Sequence, residues 1–575
     1  MKRYAFIEIA LICMIHILSY QTGISQSYEW AKSIGSASWD EGNSLAVDAS
    51  GNVYITGWFQ DTADFDPGAG TENLISAGFY DIFFAKYDSS GSYLWAKSIG
   101  STSDDYGNSI AVDASGNVYI TGWFQDTADF DPGTGTANLT SSGLSNIFFA
   151  KYDSSGSYLW AKSIEGSTGS DRGYSIAVDA SGNVYITGRF QNTIDFDPGT
   201  GTANLTSAGW RDVFFAKYDG SGSYMWAKSI GGANWEEGNS IAVDASGNVY
   251  ITGFFYDTAD FDPSTGTANL TSAGFSDIFF AKYDSSGSYL WAKGIGSNDF
   301  ERGGYSIAVD TSGNVYITGQ FQGTADFDPG IGTANLTPSS SSDIFFAKYD
   351  NSGSYLWAKS IGGGGSSYGY SIAVDASGNA YITGFFSGTA DFDPGAGTAN
   401  LTPAGSNDVF FAKYDGNGNY MWAKSIGGTS AERCNSIAVD ASGNVYITGW
   451  FQDTADFDSG VGTANLTSAG SRDIFIAKYS LSGSTSIQNI IFKQDIEINI
   501  YPNPFSTYAL VEFKNYKKEK HTLTIYNSLG QLIRQIDNIT SGQIRIERGN
   551  LTKGLYFFQL RTDSKIIGNR KFIIE

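Results

Sequence analysis

A unit of 65 or 66 residues recurs seven times along the chain, and no other property limits its fold as tightly. The period is read from Gly57, Gly122, Gly188, Gly253, Gly319, Gly384 and Gly449, and again from Trp30, Trp95, Trp160, Trp226, Trp291, Trp357 and Trp422. A unit this short cannot bury its own apolar face, so each copy must pack on its neighbours.

The first full unit contains four strand-like runs: "NSLAVD", "NVYITGWF", "DIFFAKYD" and "SYLWAKSIG". Two of the turns between them read Asp-x-Ser-Gly. In such a turn the Asp side chain caps backbone amides and Gly takes a positive φ, which marks a hairpin. Four antiparallel strands per unit, repeated radially, describe a propeller blade. The chain enters on "YEWAKSIG" (residues 28–35), a fourth strand with no third before it, and leaves on "DIFIAKYS" (residues 473–480), a third strand with no fourth after it. The expected fold is all-β: a seven-bladed β-propeller over residues 26–480, with the N-terminal strand closing the last blade and no edge left open.

The unit "AVDASGNVYITG … DIFFAKYDSSGSYLWAKSIG" resembles the SBBP-type β-propeller repeat of exported bacterial proteins. That resemblance implies binding or surface display, with no shared ligand. After a linker at residues 481–494 the text changes. "YPNPF", "LTIYNSLGQLI", "GLYFFQL" and a closing "KFIIE" predict a small Ig-like β-sandwich over residues 495–575. Their order resembles the type A C-terminal sorting domain of the type IX secretion system. The resemblance implies that this domain engages the secretion machinery, is removed at the outer membrane, and leaves the propeller on the outer cell surface or in the medium. Lys2 and Arg3 before an apolar run ending near Leu18 make residues 1–25 a signal peptide, with no transmembrane segment left after cleavage. Asp61, Asp126, Asp257 and Asp453 each open a DTA triplet, which resembles the short O-glycosylation signal of bacteria that use this route.

The net charge is −24, while residues 493–575 carry 13 Lys and Arg against 8 Asp and Glu, so the acidic excess lies in the repeats. Such a surface repels phosphate backbones and excludes nucleic acid as a partner. The two histidines, His16 and His521, both fall outside the repeats, which removes histidine-based nucleophile and metal systems from the ring. Cys434 has no cysteine to pair with after signal removal. The expectation is therefore no enzyme. A carboxylate-based glycoside-acting enzyme ranks third, behind a non-catalytic binding module for a glycan or surface protein and a display protein without a dedicated ligand.

Two sets of candidate residues follow. The "ADFDPG" loop places two acids at i and i+2, and these could hold calcium, the one cofactor considered: Asp64, Asp66, Asp129, Asp131, Asp195, Asp197, Asp260 and Asp262. A solvated loop pinned by its Phe is the plainer reading. The second set lies where the copies disagree. Trp58, Trp123, Arg189, Phe254, Gln320, Phe385 and Trp450 occupy one position, and strict alternation puts them opposite the packed Phe59 layer. The segments before the first and third strands also vary and contribute Trp39, Trp235 and Trp210. These three places fall at one edge of an antiparallel blade, so the ligand is expected there.

Overall fold

The computed structural model describes residues 25–166, 169–301, 303–482, 498–515, 518–527, 532–562 and 566–575. The predicted signal peptide, apart from Ser25, and nearly all of the predicted linker lie outside the described residues. The chain divides into two compact units, one up to residue 483 and one from residue 484. All regular structure among the described residues is β-strand.

In the first repeat, Glu41–Val47, Val53–Phe59, Asp81–Tyr87 and Tyr93–Ile99 pair in that order, each antiparallel to the next. The same first-to-fourth order recurs through the later repeats. In the last, the third strand Asp473–Ser482 takes as its fourth partner Ser25–Ile34 from the other end of the chain, with Ala31 opposite Ala477 and Ile34 opposite Ile474.

Local chemistry accounts for the hairpins. Asp48 Oδ1 accepts from the Ser50 and Asn52 amides at 2.9 Å each, while Oδ2 accepts from Asn52 Nδ2 at 2.7 Å and the Tyr54 hydroxyl at 3.2 Å. Gly51 completes the turn at φ +80°. Burial alone would raise the Asp48 carboxyl, but these hydrogen bonds outweigh it and hold the group below its ordinary value. The same acceptor geometry recurs at Asp113, Asp179, Asp244, Asp310, Asp375 and Asp440. The glycine of "YITG" answers a different need. The first strand bulges between Gly42 and Ser44, and a Cβ on Gly57 would land on the Glu41 carbonyl oxygen.

Packing explains the unbroken apolar runs. Every residue of Val53–Phe59 is buried, because both faces of the sheet are covered by neighbouring repeats. Side chains of one strand serve two cores in turn: Phe83 and Ala85 join Ile474 and Ile476, whereas Ile82 and Phe84 join Val118 and Ile120.

Hydrogen bonds link each repeat to the next. The amides of Ile110, Ile176, Ile241, Ile307, Ile372 and Ile437 each donate to a serine hydroxyl on the preceding first strand, and the Leu45 amide donates to Ser436 Oγ at 3.2 Å. That last bond joins the first repeat to the seventh, so the series returns to its start. On the outermost strands Trp30, Trp95, Trp160, Trp226, Trp291 and Trp357 donate from Nε1 to a hairpin carbonyl of the following repeat at 3.1–3.2 Å. Trp422 Nε1 is buried without a partner. The hairpin it would reach does not exist, since the two strands it would join come from opposite ends of the chain.

In the C-terminal unit, a three-stranded sheet (Asn499–Tyr501, Tyr508–Glu512, Gln543–Glu547) and a four-stranded one (Leu532–Ile539, His521–Asn527, Gly554–Arg561, Ile566–Ile574) share one core that includes Val511, Leu523, Ile546, Phe558 and Phe572.

Candidate functional site

The first strands of neighbouring repeats touch one another around the closed series, so they form its inner ring. Their leading residues, among them Glu41, Tyr106, Arg172, Glu237, Tyr368 and Arg433, stand at one mouth of that ring and pair with the variable residues of the second strands: Trp58, Trp123, Arg189, Phe254, Phe385 and Trp450. In six of the repeats an isolated parallel bridge then ties the segment before the third strand to the segment before the next first strand. Examples are Arg211 with Trp235, Tyr80 with Asp104, and Trp39 with Arg472.

The result is a ladder of stacked groups. Tyr106 lies 5.7 Å from Trp58 and stacks on Trp123 at 4.3 Å. The Arg172 guanidinium sits 4.4 Å from the other side of the Trp123 ring centre. Arg189 pairs with Glu237 of the next repeat, and Arg211 reaches the same Glu237 oxygen at 3.3 Å while lying 5.2 Å from Trp235. Further round, Tyr368 stacks on Phe385 at 4.9 Å, Arg433 covers Tyr370 at 4.0 Å, and Arg472 is clasped between Trp450 and Trp39.

The predicted ligand residues divide by exposure. Trp210, Trp39 and Trp235 are 70%, 43% and 42% exposed. Trp58, Trp123, Arg189, Phe254 and Trp450 are only 6–8% exposed, and Phe385 is half-buried. The alternation argument for that position is thereby corrected. Alternation separates a wet face from a dry one only where one face of the sheet is solvated, and here both are covered. The buried set supports the mouth from beneath, and the exposed tryptophans form its surface. Sequence reasoning did not single out Arg172, Arg211, Arg433, Arg472 or Glu237, although all lie in or beside the segments that differ between copies.

Buried acids ring the same end. Asp40, Asp105 and Asp171 are pushed up to about 7, and Glu236, Glu301 and Glu432 to about 8; burial is the main cause, and hydrogen bonds from backbone amides draw them back. Asp40, for instance, accepts from the Gln60 amide at 3.1 Å. These groups position loops and do not face solvent.

The "ADFDPG" acids are spent on their own loop. Asp64 Oδ1 accepts from the Asp66 and Glu72 amides, and Asp66 Oδ1 from the Gly68 amide. The pairs Asp129 and Asp131, and Asp195 and Asp197, repeat this, while Asp260 and Asp262 do so with Ser264 in place of glycine. Among the described residues no group of three or more His, Cys, Asp or Glu is placed to hold a metal ion. The Cys434 thiol is fully buried and pushed up to about 12, chiefly by desolvation. No helix among the described residues is long and apolar enough to cross a membrane.

Comparison with known proteins places these observations. Residues 29–58, 94–123, 159–189, 304–320, 356–384 and 422–450 match the SBBP family, described as a beta-propeller repeat. Residues 499–575 match the secretion system C-terminal sorting domain. An uncharacterized WD repeat-containing protein of Acanthamoeba polyphaga mimivirus is 26% identical over 82% of this chain and 40% of its own length. The regulatory protein FlaEY of Caulobacter vibrioides is 25% identical over 69% of this chain and 42% of its own. The chain thus spans about two-fifths of the length of these curated relatives. Among solved structures, the extracellular domains of two hybrid two-component systems of B. thetaiotaomicron are each 10% identical. They align over 96% and 95% of this chain and 99% and 100% of theirs, but at TM-scores of 0.19 and 0.14, too low to establish a common fold. The sorting domain directs the protein to the cell surface or the extracellular space. The chain thus carries SBBP β-propeller repeats in six segments and a type IX secretion C-terminal sorting domain over residues 499–575.

Proposed function

We propose that the repeats form a closed seven-bladed ring over residues 26–480, joined through a linker at residues 481–494 to an Ig-like sorting domain over residues 495–575. In this reading the ring is a non-catalytic module that binds a glycan or a protein at the mouth where its copies differ. One observation carries it: Trp39, Trp450 and Arg472 come from the three separate variable places in the sequence and meet in a single stack. Free drift in separate loops gives no reason for them to converge. The absence of histidine from the repeats and the buried, protonated Cys434 support the non-catalytic part. The loop acids lend little support to calcium, since their Oδ1 atoms already accept backbone amides.

The test is a glycan and surface-protein array probed with the full chain and with Trp39→Ala, Trp210→Ala and Trp235→Ala. These residues are exposed enough to be removed without opening the core. Binding that falls at least tenfold in any of the three supports the reading. Binding that none of them alters, or no binding at all, favours a display protein without a dedicated ligand.

A further inference from the structure

The cations of the ring are distributed in an unusual way. Its fourteen lysines all stand in the repeated "FAK", "IAK" and "WAK" positions, two per copy, whereas its six arginines (Arg172, Arg189, Arg211, Arg302, Arg433 and Arg472) all fall in the variable places. Arginine therefore did not spread with the repeat. In a chain of net charge −24 it is confined to the segments where the copies differ.

Three of these side chains, Arg172, Arg189 and Arg211, belong to the third repeat and face Glu237 of the fourth. Arg189 is 7% exposed and shares Glu237 with Arg211. Arg172 has no ion-pair partner among the described residues and rests on the Trp123 ring. Burial draws the Arg172 guanidinium below its ordinary value; Tyr174 and Glu237 push it back up, while Arg189 and Arg211 lower it further. The acids facing the trio are Glu237 and the buried Asp171. Yet the Nε atoms of both Arg172 and Arg189 are buried without a hydrogen-bond partner. A buried guanidinium is tolerated when its charge and its donors are answered, and here both are answered only in part. Beside the trio stand Trp210 and Trp235, with their indoles in solvent.

Resting on the binding reading above, we propose that Arg172 and Arg211, backed by the buried Arg189 and flanked by Trp210 and Trp235, form a subsite for the carboxylate of an acidic saccharide. Guanidinium groups match a carboxylate in plane and charge, and the exposed indoles offer flat apolar faces for the C–H side of a pyranose. The net negative charge of the repeats repels densely charged polyphosphates, while a glycan with spaced carboxylates presents one at a time.

The experiment is titration calorimetry of the full chain with oligogalacturonate, its methyl ester, polyglutamate and inorganic phosphate. The expected result is oligogalacturonate binding at least tenfold tighter than its ester. That preference is lost in Arg172→Gln and Arg211→Gln, and largely kept in Arg172→Lys. Arg211 is more exposed than Arg189, so its variant tests the site if Arg172→Gln lowers the melting temperature. Equal binding of acid and ester, a preference that survives both Gln variants, or polyglutamate or phosphate binding as tightly each overturns the proposal. Ester binding that depends on Trp210 without any acid preference overturns this inference and leaves the binding reading standing. No binding of any ligand here or on the array sinks both.

Discussion

The Arg472 guanidinium lies 4.0 Å from the ring centre of Trp450, a residue 22 positions earlier in the same repeat, and the pair is capped by Trp39 from the far end of the chain. A cation held against one buried and one exposed indole contributes about 1 kcal/mol. The stack therefore serves the ring's closure as well as its surface. Trp450→Ala removes a buried ring and should cost about 3–5 kcal/mol, read as a large fall in the thermal midpoint. Trp210→Ala, at an exposed site, should stay within about 0.5 kcal/mol of the parent. Equal losses from both would contradict the division into supporting and surface tryptophans.

Stability should fall as pH rises from about 4 to about 8. The carboxyls of Asp40, Asp105, Asp171, Glu236, Glu301 and Glu432 have folded values above their unfolded ones, so the folded state binds more protons in that window and ionisation works against it. The hairpin acids shift the other way: Asp48 and its equivalents stabilise above their unfolded value, and lose that contribution as pH falls through the lowered folded one. Calorimetry should show a maximum near pH 4–5. Glu236→Gln should raise the midpoint more at pH 8 than at pH 5, and a midpoint flat from pH 5 to 8 would refute the account.

Gly188→Ala should destabilise by about 1–3 kcal/mol or more, because the new methyl would collide with the Arg172 carbonyl oxygen across the bulge. The exposed turn residue Ser181 offers a control: Ser181→Ala should change the urea midpoint little, since the Ser181 contact to Asp179 runs through its backbone amide.

Maleimide should leave Cys434 unmodified in the folded protein and label it only as the ring opens. The thiol is fully buried, and its pKa of about 12 leaves almost no thiolate. Mass spectrometry along a urea series reads this directly, and rapid labelling of the native chain would count against the buried placement.

Removing residues 25–34 should leave Asp473–Ser482 as an open edge and produce oligomers on size-exclusion chromatography. A synthetic peptide of those ten residues should restore the monomer. A truncated chain that stays monomeric without the peptide would show that the first strand is dispensable.

Strand order and hairpin chemistry were legible in the text because both are local: an Asp, a Gly and a run of alternating residues state their geometry within ten positions. The pairing of Ser25–Ile34 with Asp473–Ser482 could also be read, since two half-units at the ends complete each other. The burial of Trp58 and Trp123 could not. It depends on Tyr106 and Arg172 of the following repeats lying across them, and no rule of alternation within one strand contains that neighbour. The raised acids were hidden for the same reason, because Asp40 looks like any loop aspartate until the Gln60 amide and the neighbouring sheets enclose it.

Trp422 and its idle indole nitrogen mark the one joint that the chain cannot make by itself in passing. Across that joint Ser27 and Ser480 bond to each other although they stand 453 residues apart, and bringing such distant ends together costs about 5 kcal/mol of chain entropy. Each earlier repeat can dock onto its predecessor as it appears, but this latch must wait for the last copy. Until then the docked repeats present two unpaired strand edges, Ser25–Ile34 at one end and Asp473–Ser482 at the other, each the only complement of its counterpart.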